Sequence, residues 1–160
     1  MQYDKARSMR KVFKSEDVKN AIINKLLEIA PQYAVYKEAM TAPEYPHFFV
    51  HLVKADDTPL RSGYHNLQYS FDLRYRVASD PSTDMRLEAN LDEMALELMT
   101  YFNLIECTDG TIYRVEDKDY EKTDGVLHFF FKVTAQIKIV EDIEIGKLGR
   151  LEKIKVNIRG

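Results

Sequence analysis

The stretch TDGVLHFFFKVTAQIKIV, residues 123–140, alternates apolar and polar side chains along its length. Leu127, Phe129, Phe131, Val133, Ala135, Ile137 and Ile139 fall on one side. His128, Phe130, Lys132, Thr134, Gln136 and Lys138 fall on the other. A period of two held this long describes a strand with one greasy and one wet face. At ~3.3 Å per residue it runs on the order of 45 Å. A compact chain of this size is only about 40 Å across. Such a strand either bends at a bulge or outruns its own core. Phe130 adds a second constraint, because it places an aromatic ring on the wet face.

A second long alternation follows the same rule. His65, Leu67, Tyr69, Phe71, Leu73, Tyr75 and Val77 share one face, and Asn66, Gln68, Ser70, Asp72, Arg74 and Arg76 the other. HFFVHLV, residues 47–53, reads as a shorter strand with Phe48, Val50 and Leu52 opposite His47, Phe49, His51 and Val53. A short strand is expected over Tyr33–Lys37, then a Pro-bounded loop at TAPEYP. KADDTPLRSG reads as a polar connection. A strand is expected near Thr111–Glu116, followed by EDKDYEKTD as a solvated acidic hairpin tip. After Asp142 the pattern predicts a further strand, a Gly-punctuated turn and a last strand aligning Ile154, Val156 and Ile158.

Two stretches switch to helical spacing. From Ser15, an expected N-cap with Glu16 and Asp17 in the first turn, Val18, Ile22, Leu26 and Ile29 form a stripe that Pro31 stops. Leu87, Leu91, Met94, Ala95, Leu98, Tyr101 and Phe102 form the second. Asn90 and Glu93 resemble a capping box, which predicts a regular start at Leu91. Two helical stripes can cover one sheet face. The fold class is therefore α+β: a mostly antiparallel or mixed sheet, two helices on one face, long amphipathic strands. The other face must meet water or another chain.

The composition narrows the class. The chain has 160 residues, 45% hydrophobic and 31% charged, which fits one soluble domain. Residues 1–14 read as a basic arm, with Lys5, Arg7, Arg10, Lys11 and Lys14 against Asp4, and residues 15–160 as a single domain. Cys107 is the sole cysteine, so no internal disulfide forms. The basic start lacks the apolar core of a signal peptide, and no apolar run approaches ~18 residues, so no membrane is expected. A net charge of −3 argues against a dedicated nucleic-acid binder.

No catalytic constellation stands above background. GKLGR has glycines at the wrong spacing for a phosphate loop. There is no nucleophile elbow, no HExxH and no paired CxxC. His47 and His51 share a strand face but lie ~13 Å apart, too far to grip one metal. Cys107 reads as a structural thiol. The expectation is no enzyme, no cofactor and no metal.

In order and spacing, YPHFFVHLV, YSFDLRYRV, LDEMALELMTYFNLI and DGVLHFFFKVTAQI resemble a tail-terminator (tail-completion) family of phages and prophage-like elements of Gram-positive bacteria. The resemblance covers roughly residues 18–140, and the Asp-Gly-Val-Leu-His-Phe-Phe stretch is its most specific part. The basic arm reads as an extension ahead of the usual first helix, and residues 141–160 match loosely. The resemblance implies a structural subunit that closes into a six-membered homo-oligomeric ring. The ring would cap the tube of a contractile tail at its head-proximal end. Implied partners are the tube protein, the sheath protein and a head-tail connector, with DNA as passing cargo only. Implied locations are the bacterial host cytoplasm during assembly, then the virion or tail-like particle. The alternatives are a head-completion or connector protein, or a small α+β ligand-binding domain or enzyme. Assembly contacts are expected from Phe49, His51, Asp56, Arg61, Arg74, Arg76, Asp117, Asp119, Phe130 and Lys132, which lie on the wet strand faces or in the polar connections.

Overall fold

The computed structural model describes residues 13–78 and 84–138, with only the backbone of 84–88. The expected strands beyond Asp142 and most of the basic arm lie outside the described residues. The elements in chain order are helix α1 (Ser15–Ile29), strands β1 (Ala34–Tyr36) and β2 (His47–Pro59), a 3-10 turn (Arg61–Gly63), β3 (Tyr64–Arg76), helix α2 (Asp84–Tyr101), β4 (Leu104–Glu106), β5 (Ile112–Thr123) and β6 (Val126–Lys138). They build one six-stranded sheet ordered β1-β2-β3-β6-β5-β4. Only β1–β2 is a parallel pair. The α+β class with a mixed sheet holds.

The core follows from the alternation. Register aligns Phe48, Tyr75 and Leu127 in one rung, Val50, Leu73 and Phe129 in the next, and Leu52, Phe71 and Phe131 in a third. Above them α1 lies against β4 and β2, and α2 against β6 and β5. α1 contributes Val18, Ala21, Ile22 and Leu26, and α2 contributes Leu91, Met94, Ala95 and Leu98, with Phe102 just beyond its end. The Phe102 ring meets Phe131 edge-on at 5.0 Å and Phe129 at 6.1 Å. Each such side chain taken from water contributes roughly 1.5–3 kcal/mol. Phe13, inside the stretch read as a basic arm, is 2% exposed and stacks on Tyr69 at 4.6 Å. The Tyr69 hydroxyl donates to the Phe13 carbonyl at 2.6 Å.

Four local expectations are corrected, and one short strand is new. Ser15 is the first helical residue; Lys14 holds the cap position and makes no side-chain cap bond. The anchored Phe13 sets the helix entry in place of a capping hydroxyl. α2 begins at Asp84, not Leu91. The intervening Met, Arg, Leu, Glu and Ala are good helix formers, so the helix runs through the capping-box pattern at Asn90. The polar connection after residue 53 is largely strand, because Lys54–Pro59 pair with His65–Ser70. The acidic tip after Glu116 is also strand, paired with β6 up to Thr123↔Val126. The hairpin turn shrinks to Asp124 and Gly125, both with positive φ, as a tight two-residue turn needs. β4 had no signal in the pattern; it pairs with only three residues of β5.

The long strands use both solutions open to them. β2 breaks register between Leu52 and Lys54, and β5 between Glu116 and Asp119, where Asp117 takes a φ of 51°. β3 and β6 instead stay in unbroken register over 13 residues each. The outer end of β2 leaves the core behind: Lys54, Ala55, Asp57, Thr58 and Pro59 are exposed.

Candidate assembly surface

Among the described residues the helices cover one sheet face and leave the other open. Register sorts the open face into rungs. Phe49, Arg74, His128 and Glu121 form one; His51, Asp72, Phe130 and Asp119 form the next; Lys54, Ser70, Lys132 and Glu116 follow. Four residues expected at an interface, Phe49, His51, Arg74 and Phe130, are thus brought together.

At their centre sits Asp72, 4% exposed although it lies on the uncovered face. A buried carboxylate needs partners, and this one has two. Arg74 Nε donates to Oδ2 at 2.8 Å. His128 Nδ1 lies 3.0 Å from Oδ2 and 3.2 Å from Oδ1. Aromatic rings frame the polar groups. Arg74 lies over Phe49, 5.8 Å from the ring centre. Phe49 stacks on His51, and Phe130 on His128, with interplanar angles of 18° and 14°. The alternation had put Asp72 and His128 on the wet face without marking them. What period two cannot give is which neighbours the next strand supplies.

Beside this cluster is a recess of about 280 Å³, lined by Tyr36, the segment after it, His47, Phe49, His51, Arg74 and Arg76. His47 is 6% exposed, and its Nδ1 is 2.9 Å from the Glu44 carbonyl. Burial holds its pKa below the ordinary histidine value, and the positive charge of Arg76 adds to the effect. Arg76 is exposed and has no carboxylate partner among the described residues.

The remaining expected residues are scattered. Lys132 pairs with Asp117 at 3.7 Å. Asp119 Oδ1 accepts from the Tyr120 amide at 2.8 Å. Asp56 pairs with Lys54 at 3.2 Å along the projecting part of β2. Arg61 is in the turn at its tip. Cys107 is buried, its thiol pKa is pushed up by burial, and its Sγ lies 3.9 Å from the Asp17 carbonyl. Among the described residues no group of three or more His, Cys, Asp or Glu could hold a metal ion. No described helix is long and apolar enough to cross a membrane.

The open face thus combines ordered aromatics with paired charges. A family model described as phage tail terminator protein matches residues 17–145. The chain belongs to the phage tail terminator family. The matched span includes α1 from Asp17 onward, all of α2 and every described strand. A search of curated proteins returned no match. Membership of the phage tail terminator family makes the role structural: the chain serves phage tail completion and virion assembly, in company with other tail components. The resemblance read from the four sequence stretches is borne out, with slightly wider limits.

Proposed function

We propose that the chain caps the head-proximal end of a phage-type contractile tail tube as a hexameric ring. The ring ends tube polymerisation and offers a surface for head joining or sheath anchoring. The observation that carries this reading is the open sheet face, where rings and a buried carboxylate are already in place before any partner arrives. Phe49 and Phe130 are only partly covered in the single chain and gain from burial at a contact. Open strand edges add to it. β1 shields only His47–Phe49 of β2, and β4 only Ile112–Arg114 of β5, among the described residues. Such edges offer unpaired amides and carbonyls to a neighbour.

In this reading residues 15–160 act as one unit behind a basic arm, and tube, sheath and connector proteins are the neighbours. DNA passes through without being held, as the net charge of −3 favours. Assembly takes place in the host cytoplasm before the particle is released. Weak contacts repeated around a ring reinforce one another through effective concentration, so a subunit need not bind tightly alone. Deleting the gene tests the reading. Tails of uncontrolled length that fail to join heads are expected. Tails of normal length with a normal upper end would remove it in favour of a connector role.

A further inference from the structure

The open face carries a basic recess toward its β1–β2 side and acids at its β5 edge; the register sets Glu121 level with Arg74, with Arg76 two residues further along β3. On the β1–β2 side lies the recess. Arg76 there is unpaired among the described residues, and Arg74 spends only its Nε on Asp72. Tyr36 and Phe49 give it an aromatic wall. Arg74 and Arg76 stand on β3, so β2 and the three-residue β1 separate them from the sheet's lateral edge, two strand spacings or about 10 Å. On the β5 side Glu116, Asp119 and Glu121 are all exposed, and none has a basic partner among the described residues. Among the described residues the outer edge of β5 carries no strand there, because β4 pairs only with Ile112–Arg114.

Glu121 shares its rung with Arg74 and Phe49, and Asp119 shares the next with His51. A second copy set alongside, with strands in the same orientation, therefore brings its Glu121 level with the first copy's Arg74 and its Asp119 level with His51, and Arg76 lies two residues beyond Glu121. We propose that the acidic β5 edge of one copy seats in the Arg74–Arg76 recess of the next. The contact is head to tail: each copy uses one edge to give and the other to receive, which generates a ring when the rotation closes. The proposal rests on the ring reading and names its contact. The occupant is a second copy because the complementary charges are on this same chain, with Glu121 at the height of Arg74.

A charge swap tests it. Arg76→Glu alone, and Asp119→Lys with Glu121→Lys, are each expressed in the deletion strain, then all three together. Purified variants are first melted to show that they fold. Each one-sided reversal is expected to cut the fraction of capped tails by about tenfold or more through like-charge contact, and the triple variant to restore it. One-sided variants that cap normally, or a folded triple variant that does not restore capping, would overturn the contact. So would loss of capping from Arg76→Glu with no effect of the β5 reversals, which assigns the recess to another acidic partner. If the deletion strain itself makes normal tail ends, the terminator reading fails instead. Sedimentation of the same purified variants at low salt then reads the contact alone, with association weakened by each reversal and recovered by the swap.

Discussion

Phe129 and Phe130 are neighbours in the chain and belong to different worlds. Phe129 is 0% exposed beneath α2, while Phe130 lies half-covered beside His128 on the open face. The same contrast repeats for Phe48 and Phe49. On the helix side, rings meet rings and aliphatic chains, and dispersion and water exclusion do all the work. On the open side, each ring meets a cation or an imidazole, and a carboxylate is sunk between them. A core can accept any side chain of suitable volume. A surface arranged like the open face specifies direction and charge. Both patterns are written in one strand because successive side chains point to opposite faces.

The largest effects are expected on the covered face. Phe129→Ala and Leu98→Ala should each cost about 2–5 kcal/mol in chemical denaturation, since both are fully buried. Near-neutral values for both would abolish the distinction between the faces. Asp72→Ala comes next, at about 1–3 kcal/mol, because it strands the two donors that its carboxylate satisfies. A cost equal to that of Phe129→Ala would mean the open face is a second core.

Phe49→Asp and Phe130→Asp are expected to change stability by less than about 1 kcal/mol yet impair tail assembly. Normal tails from both would make these rings bystanders. The smallest effect is on pH dependence. His47 titrates lower in the fold than in the unfolded chain, so the unfolded chain binds more protons between the two values. Stability from this group is therefore complete above the ordinary histidine range, near 6.5, and is lost as pH falls toward the depressed value. Denaturation midpoints should drop across that window, and His47→Gln should flatten the slope.

Much of this was legible in the sequence, for reasons that differ by element. β3 and β6 announced themselves because one covered face enforces strict alternation, and α1 because its stripe is unbroken up to Pro31. The outer half of β2 was hidden: Asp56, Asp57 and Pro59 are poor strand formers, held there by pairing with β3. The second half of β5 was hidden for a similar reason. Its bulge at Asp117 breaks the alternation, and Lys118 reaches across to the Met99 carbonyl at 2.7 Å, where an apolar residue would have marked the face. Of the expected contact residues, Phe49 and His51 were readable as neighbours because they alternate along one strand. The Asp72–His128 pair, 56 residues apart in sequence, needed the β3–β6 register to appear.

The unbroken register of β3 and β6 also bears on how such a gene can change length. Inserting or losing a single codon inside either strand would turn every residue beyond it to the opposite face, exchanging core for contact surface in one step. Length changes there are tolerable only in pairs. At Leu52/Lys54 and Glu116/Asp119 the frame is already broken. These two places, with the Asp124–Gly125 turn, are where single-residue insertions and deletions can accumulate without rewriting both sides of the sheet.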